Sequence, residues 1–327
     1  MGKILRWGLL STARINRKII PAIRAARGHR LYAVASRDPE RVKTYAQEWK
    51  IAHAYGSYEE LIADPEIDVI YNSLPNHLHA EWSIKAAQAG KHVLCEKPLA
   101  LSPEEVDAII AAANDHHVVI AEAFMYRHLP LTLKVQGLIQ AGAIGEVRHI
   151  NASFTILFDR PENYRWLPET GGGCLWDLGC YPVSYARMIM NANPQEVYGI
   201  ARWTSLGVDK TFTGLLTYRN GTTAYFLCSF ELPYLCQLEI IGTQGKIVQE
   251  NPFIPARGNP CYLLRDGHKI KVKAAVPKQL YQGEVEDLGR AALNGANQRL
   301  PLSESREINQ ALTALLESAR KGAPVRL

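Results

Sequence analysis

The sequence predicts an α/β plus α+β protein in two parts: a doubly wound parallel sheet first, then an open, mostly antiparallel sheet with helices. Three observations carry this reading. Strands alternate with helices of ten or so residues as far as residue 123, and consecutive strands take over after 124. Asn220-Gly221, lying between two strand-like runs, is a strong hairpin signal. The boundary between 1–123 and 124–327 is a shift of pattern, with no low-complexity linker and no internal repeat.

Residues 4–10 form an apolar strand, followed by a turn at 11–13 and a helix over 14–26 that stops at Gly28. A second strand, 30–36, runs into Pro39, which suits a first helical turn, and a helix reaching Trp49. Strand 69–73 precedes a helix over 77–89 ended by Gly90. Strand 92–95 precedes one opened by Ser102-Pro103, and strand 118–121 closes the alternation. Right-handed crossovers between such strands give a parallel sheet that binds ligands at its carboxyl edge. In the second part, strands are expected at 147–158, 196–205, 212–218, 222–230, 235–241, 246–249 and, more weakly, 262–272. Helices close the chain near 282–293 and over 303–320, the latter capped by Ser303. These helices are too few to cover both faces of the sheet, so assembly into a homodimer or homotetramer through one face is expected.

At 327 residues, with 47% hydrophobic and 21% charged residues, the chain has the size and composition of a two-domain globular protein. Its formal charge of +5 is spread along the chain without a Lys/Arg block, which argues against nucleic acid as a partner. No apolar run approaches the ~20 residues that span a bilayer, and Lys3 and Arg6 interrupt the first apolar stretch, so a cytoplasmic protein with no membrane partner is expected. Six cysteines stand without a CxxC pair, which reads as packed, reduced thiols rather than a metal site.

The stretch HVLCEKPL, residues 92–99, delivers Glu96 and Lys97 to the carboxyl edge of the sheet before Pro98 stops the ladder. Lys97 is a candidate for chemistry; a solvated strand end is the plainer alternative. After the first strand, Ser11, Thr12, Ala13, Arg14, Ile15 and Asn16 occupy the place of a G-x-G-x-x-G phosphate turn. All three glycines are replaced, yet small residues and a helix start still suit a pyrophosphate, and a bare strand-to-helix turn stays open as a reading. At the end of the second strand Ser36 and Arg37 stand where NAD binding would want a carboxylate, which favours NADP, with NAD possible. The other possibility is a surface Arg37 beside a cap formed by Asp38. Leu74, Asn76 and His79, after the strand at 69–73, and Glu96 are further candidate cofactor contacts; no carboxylate or thiol accompanies His77 and His79 at metal-ligand spacing.

In the second part, YRWLPETGGGCLWDLGCYPVSYA, residues 164–186, leads three glycines into a helix, letting the chain pass close to a ligand. Asp177 and Tyr181 are four apart and fall on one face. They read as a positioned acid/base pair or, more plainly, as a first-turn carboxylate and a packed phenol.

Taken together, GKHVLCEKPL and GGGCLWDLGCYPV, with WGLLSTARI, VIYNSLPNHLH and EAFMYR in the same order, resemble the Gfo/Idh/MocA family of NAD(P)-dependent oxidoreductases over essentially the whole chain. The resemblance implies a Rossmann dinucleotide-binding domain, then a domain for substrate binding and oligomerisation. It implies that Lys97 and Tyr181 flank the nicotinamide and that Asp177 holds the substrate or the acid/base group. A tyrosine at 181, where inositol dehydrogenase-like members have histidine, is similar to the sugar-oxidising and dihydrodiol-oxidising members. It points to a pyranose or a cyclic diol, with Arg127, Tyr164, Arg165 and Trp176 lining the pocket. In this scheme a Lys97 ammonium about 4 Å from the phenol would favour phenolate by roughly 4 kcal/mol, making Tyr181 a usable base. A keto-sugar reductase and a trans-dihydrodiol dehydrogenase would use the same residues. A dinucleotide-sensing binding protein without turnover would not need both Lys97 and Tyr181.

Overall fold

A computed structural model describes residues 3–255 and 259–327. In chain order its elements are β1 (Leu5–Leu10), α1 (Asn16–Ala25), β2 (His29–Ala35), α2 (Pro39–Trp49), β3 (His53–Tyr55), α3 (Tyr58–Ala63), β4 (Val69–Asn72), α4 (His79–Gln88), β5 (His92–Glu96), α5 (Pro103–Asp115) and β6 (Ile120–Ala123). There follow α6 (Pro130–Gln140), β7 (Val147–Leu157), α7 (Cys180–Met190), β8 (Glu196–Trp203), β9 (Asp209–Thr217), β10 (Thr223–Ser229), β11 (Glu231–Gly242), β12 (Lys246–Glu250), β13 (Cys261–Arg265) and β14 (His268–Lys271). The chain closes with α8 (Gln282–Asn294), α9 (Leu302–Lys321) and β15 (Val325–Arg326). Two compact units result: one runs to His128 and takes back Pro277–Arg306, and the other comprises Leu129–Val276 and Glu307–Leu327.

The first unit is a six-stranded parallel sheet in the order β3-β2-β1-β4-β5-β6, so the order reverses between β1 and β4. Alternate strand residues face opposite sides. Leu10, Ile70 and Val93 pack under α3, α4 and α5, whereas Leu9, Tyr71 and Leu94 pack with α1 and α2. The right-handed crossovers leave the second of these faces short of cover over β4, β5 and β6. Helix α8 fills the gap with Val285 and Leu288, both fully buried. That is why residues 277–306, assigned from sequence to the second part, belong with the first. Helix starts follow their side chains: Asp38 caps α2, Ser57 caps α3 and Ser102 caps α5.

The second unit holds a nine-stranded sheet, β14-β13-β12-β11-β7-β10-β9-β8-β15. It is antiparallel except where β10 runs parallel to β7. Asn220-Gly221 turns the chain between β9 and β10, as expected. Ile150, Phe154, Phe212, Phe226, Leu238 and Ile240 bury one face. On the other, Tyr198, Leu215 and Tyr225 stand in register across β8, β9 and β10, with Ile200, Thr213 and Leu227 beside them, all at least partly exposed.

Several boundaries differ from expectation. The strand expected at 118–121 lies at 120–123, because the Val118 N–H bonds back to the Ala113 carbonyl at the end of α5 and the Val119 N–H is taken by His92 Nδ1. The helix expected over 77–89 opens as a separate 3-10 turn, Asn76–Leu78. The weak 262–272 strand is the β13–β14 hairpin, bent at Asp266-Gly267. Ser303 lies inside α9 rather than capping it. Short β3, α3 and β15 and the apolar α6 were not expected. Among the described residues no helix is long and apolar enough to cross a membrane.

One buried group on α8 stands out. Glu284 is 2% exposed and neither carboxyl oxygen has a hydrogen-bond partner. Burial, and then the charge of Glu96, push its carboxyl well above the ordinary 4.5. With the folded value raised, this carboxyl costs the fold nothing below pH 4.5 and takes away stability as pH rises above it. Glu284→Leu is therefore expected to raise unfolding stability at about pH 8 by about 1–3 kcal/mol in urea titrations, a gain that shrinks on acidification. An unchanged or lowered stability at that pH would contradict it.

Candidate active site

The turn after β1 keeps the conformation of a glycine fingerprint without the glycines. Ser11 has φ 100°, in the left-handed region that glycine favours and that costs other residues about 1–3 kcal/mol. A closed chain of side-chain bonds offsets that cost. The Ala13 N–H donates to Ser11 Oγ (3.2 Å), Ser11 Oγ lies 3.1 Å from Ser73 Oγ, and Ser73 Oγ donates to Asn16 Oδ1 (2.9 Å). Asn16 Nδ2 closes the ring on the Ser11 carbonyl at 2.8 Å. Asn16 is fully buried, so a side chain at the third glycine position ties the turn instead of spoiling it. The backbone N–H groups of Thr12, Arg14 and Ile15 find no acceptor among the described residues. Three free donors ahead of a helix are the donor set a pyrophosphate needs. The helix itself begins at Asn16 rather than Arg14.

At the end of β2, Ser36 Oγ accepts the Asp38 N–H at 3.2 Å, and Asp38 Oδ1 accepts from the N–H groups of Glu40 and Arg41. The carboxylate in this region is thus spent on the α2 cap. Arg37 is exposed, and it and the Ser36 hydroxyl suit a 2'-phosphate better than a ribose diol.

The turn from Glu96 to Leu99 is gripped at three points. The Tyr71 hydroxyl, itself fully buried, donates to Glu96 Oε1. His79 places Nδ1 2.7 Å from the Pro98 carbonyl and Nε2 2.7 Å from that of Leu74. Glu122, on β6, accepts the Leu99 N–H at 2.9 Å. Lys97 is half-buried between these anchors.

His79 is therefore a correction. Expected to touch a cofactor, it is 1% exposed and ties the Leu74 loop to the Lys97 turn. Burial pushes its pKa down to about 4 while the two carbonyls pull it up, and a neutral ring can donate to only one of them. Leu74 and Asn76 are buried beside it, Leu74 N–H bonding to Asn72 Oδ1. Arg127 is a second correction: it is 4% exposed and pairs with Glu304 at 2.7 Å, so its guanidinium is spent inside the first unit rather than lining a pocket.

In the second unit Asp177 lies in a single π-helical turn, Leu175–Gly179, that precedes α7, where a regular α-helix was expected. Such wide turns recur at functional sites. Arg165 Nε donates to Asp177 Oδ2 at 2.8 Å, and the guanidinium covers the Tyr164 ring at 4.8 Å. Trp176 is buried, whereas Tyr164 and Arg165 are partly exposed. The Tyr181 ring is fixed between Phe154 and Phe253, with centroids 5.5 and 5.6 Å away.

The glycines before this turn serve a different approach from the one expected. A Cβ on Gly173, at φ 120°, would fall 2.0 Å from Asp209 Oδ1, and one on Gly172 would fall 2.5 Å from the Arg165 carbonyl. The close neighbours are the chain's own polar groups, not a ligand. Asp209, buried on β9, accepts the Leu175 N–H at 2.7 Å and the Cys174 thiol at 3.2 Å, and burial pushes its carboxyl up to about 6. It fixes the start of the segment that carries Asp177. No signal in the sequence marks it, since the contact spans more than thirty residues to the edge of a β-strand.

The sequence matches two family models: an oxidoreductase family with NAD-binding Rossmann fold over residues 5–124, and the GFO/IDH/MocA C-terminal domain over 132–248. It is 38% identical over 329 residues to D-xylose 1-dehydrogenase (NADP(+)) 2 of Haloferax volcanii, covering 99% of this chain and 100% of that one. It is 38% identical over 270 residues to the trans-1,2-dihydrobenzene-1,2-diol dehydrogenase of Xenopus laevis, covering 81% and 80%. Among solved structures, a 3-ketoreductase from Actinomadura kijaniata in complex with NADP and TDP-benzene matches with a TM-score of 0.89 at 29% identity, over 98% of each chain. With both halves matched and a relative 38% identical over the full length of each chain, the chain belongs to the Gfo/Idh/MocA family of NAD(P)-binding oxidoreductases.

Proposed function

We propose that this protein is an NADP-dependent oxidoreductase that moves a hydride between the nicotinamide and a carbinol carbon of an aldopyranose or a related cyclic diol. The observation that carries the reading is a lysine held at a gripped strand end, in a chain whose full-length relatives include an NADP-dependent xylose dehydrogenase. The free N–H groups of Thr12, Arg14 and Ile15 would hold the pyrophosphate, and Ser36 and Arg37 the 2'-phosphate. Bound NADP supplies the hydride acceptor or donor.

The protein's own groups handle the proton. On oxidation the alcohol O–H proton passes to the Tyr181 phenolate as the C–H hydride departs, and on reduction the phenol returns it. Lys97 binds the reacting oxygen and favours the phenolate by its charge. Asp177, oriented by Arg165, accepts a hydrogen bond from a neighbouring hydroxyl. A keto-sugar reductase reading uses the same groups in the opposite direction and is supported by the similarity to the 3-ketoreductase.

The test is turnover of a panel of aldopyranoses and cyclic trans-diols, followed by reduced-nicotinamide absorbance. kcat/KM with NADP is expected to exceed that with NAD by about tenfold or more, equivalent to about 1.4 kcal/mol. Tyr181→Phe is expected to lower kcat by about 10²–10⁴-fold, with NADPH affinity unchanged. A Tyr181→Phe enzyme of full activity would remove the phenol from the chemistry.

The half-exposed apolar rows on β8, β9 and β10 support a dimer formed through that sheet face. Sedimentation is expected to give a dimer for the natural chain and a monomer for Ile200→Glu with Tyr225→Lys. A natural chain that sediments as a monomer would contradict this.

A further inference from the structure

Strands β1 and β4 are neighbours at the point where the strand order reverses, the crevice in which an open parallel sheet takes its ligand. Their ladder ends with Leu10 opposite Asn72. Ser11 and Ser73 are the next residues on each strand, and from there side chains take over from the backbone. The Ser73 hydroxyl has one hydrogen and two acceptors within reach, the nearer being Asn16 Oδ1 at 2.9 Å and the other the Leu10 carbonyl at 3.1 Å. With Ser73 donating to Asn16, the 3.1 Å contact between the two serine oxygens is a bond donated by Ser11. Asn16 Nδ2 then returns to the Ser11 carbonyl at 2.8 Å. The ring therefore needs a group at residue 16 that accepts and donates at once. A carboxamide does both; a carboxylate or an alkyl group does not. Asn16 is fully buried, so water has no access to take its place. Ser73 leads directly into Leu74, Pro75 and Asn76, so this one amide also stitches the phosphate turn to the loop that follows β4.

We infer that Asn16 is a positioning residue for the dinucleotide: through Ser11 and Ser73 it locks the turn in the form that offers the Thr12, Arg14 and Ile15 N–H groups to the pyrophosphate. In a G-x-G-x-x-G turn the glycines' conformational freedom does this work. The inference rests on the reading of this turn as the pyrophosphate site, in a segment matched by the NAD-binding Rossmann model over residues 5–124. A turn that is already ordered has less freedom to lose when a ligand binds. Once the ring is broken, the left-handed Ser11, at φ 100°, loses the bonds that hold it and the donors lose their fixed arrangement.

The experiment titrates the full chain with NADPH, followed by nicotinamide fluorescence. A second titration displaces NADPH with 2'-AMP, which carries the adenosine and the 2'-phosphate but no pyrophosphate. Asn16→Ala and, from the other side of the ring, Ser73→Ala are each expected to weaken NADPH by about tenfold and to leave 2'-AMP within about twofold. Melting curves confirm that each variant is folded. Equal losses for NADPH and 2'-AMP would mark a general loosening of the unit and overturn the inference. Adding Ser11→Gly to Asn16→Ala is expected to bring NADPH back to within about threefold of the natural chain, because glycine adopts the left-handed turn unaided. A double variant as weak as Asn16→Ala overturns it too. Arg14→Glu puts a negative charge on the exposed side of the turn and leaves the ring intact. If Arg14→Glu weakens NADPH while Asn16→Ala and Ser73→Ala do not, the role of Asn16 alone is refuted. If none of the three weakens it, the pyrophosphate reading of the turn falls as well.

Discussion

The first unit depends on how four residues at the end of one strand are held. Glu96 is the last residue of β5 to pair, opposite Ala123; Lys97, Pro98 and Leu99 then leave the ladder, so polar groups here must find bonds elsewhere or stay in contact with water. Tyr71 from β4, His79 from α4 and Glu122 from β6 supply those bonds. Each is worth about 1 kcal/mol net, but losing one partner strands the other in a buried setting at about 1–3 kcal/mol. The turn is thus fixed from both neighbouring strands and from the helix beneath it. Lys97 stays half-exposed within this held segment. An ammonium carried on a preorganised turn is what binding of a reacting oxygen requires.

The same economy of polar ties explains two departures from motif. At the phosphate turn, Ser11, Asn16 and Ser73 do by hydrogen bonding what three glycines do by conformational freedom, and the left-handed φ of Ser11 persists because the ring of bonds closes around it. In the second unit the relation is reversed. There the glycines are present, but they make room for Asp209 and for the chain's own carbonyls. In both places the residue type follows from which polar group must approach the backbone, so motif spelling alone misidentifies the neighbour.

Much of the fold was legible in the sequence because it is local. The apolar strands at 4–10 and 69–73, the Pro39 and Pro103 helix starts and the Asn220-Gly221 hairpin each depend on residues within a few positions. The Glu96-Lys97-Pro98 strand end was equally plain. What escaped notice is set by long-range packing. Residues 277–306 return to the first unit because one face of a sheet lacks cover, and that need is invisible in their own periodicity. His79 and Arg127 looked like binding residues, since polar side chains next to a ligand-binding edge usually are. Their commitment to buried carbonyls and to Glu304 is a tertiary fact. Asp209 gave no signal for the same reason.

The central claim is that Lys97, immobilised by its neighbours, acts on the reacting oxygen and is not a mere surface cation. Single-turnover hydride transfer with saturating NADP and an oxidisable sugar, comparing the natural chain with Lys97→Met, tests this most directly. The account predicts a fall in the transfer rate of about 10²–10³-fold or more, with NADP affinity changed by much less. A Lys97→Met protein that transfers hydride at the natural rate would contradict it.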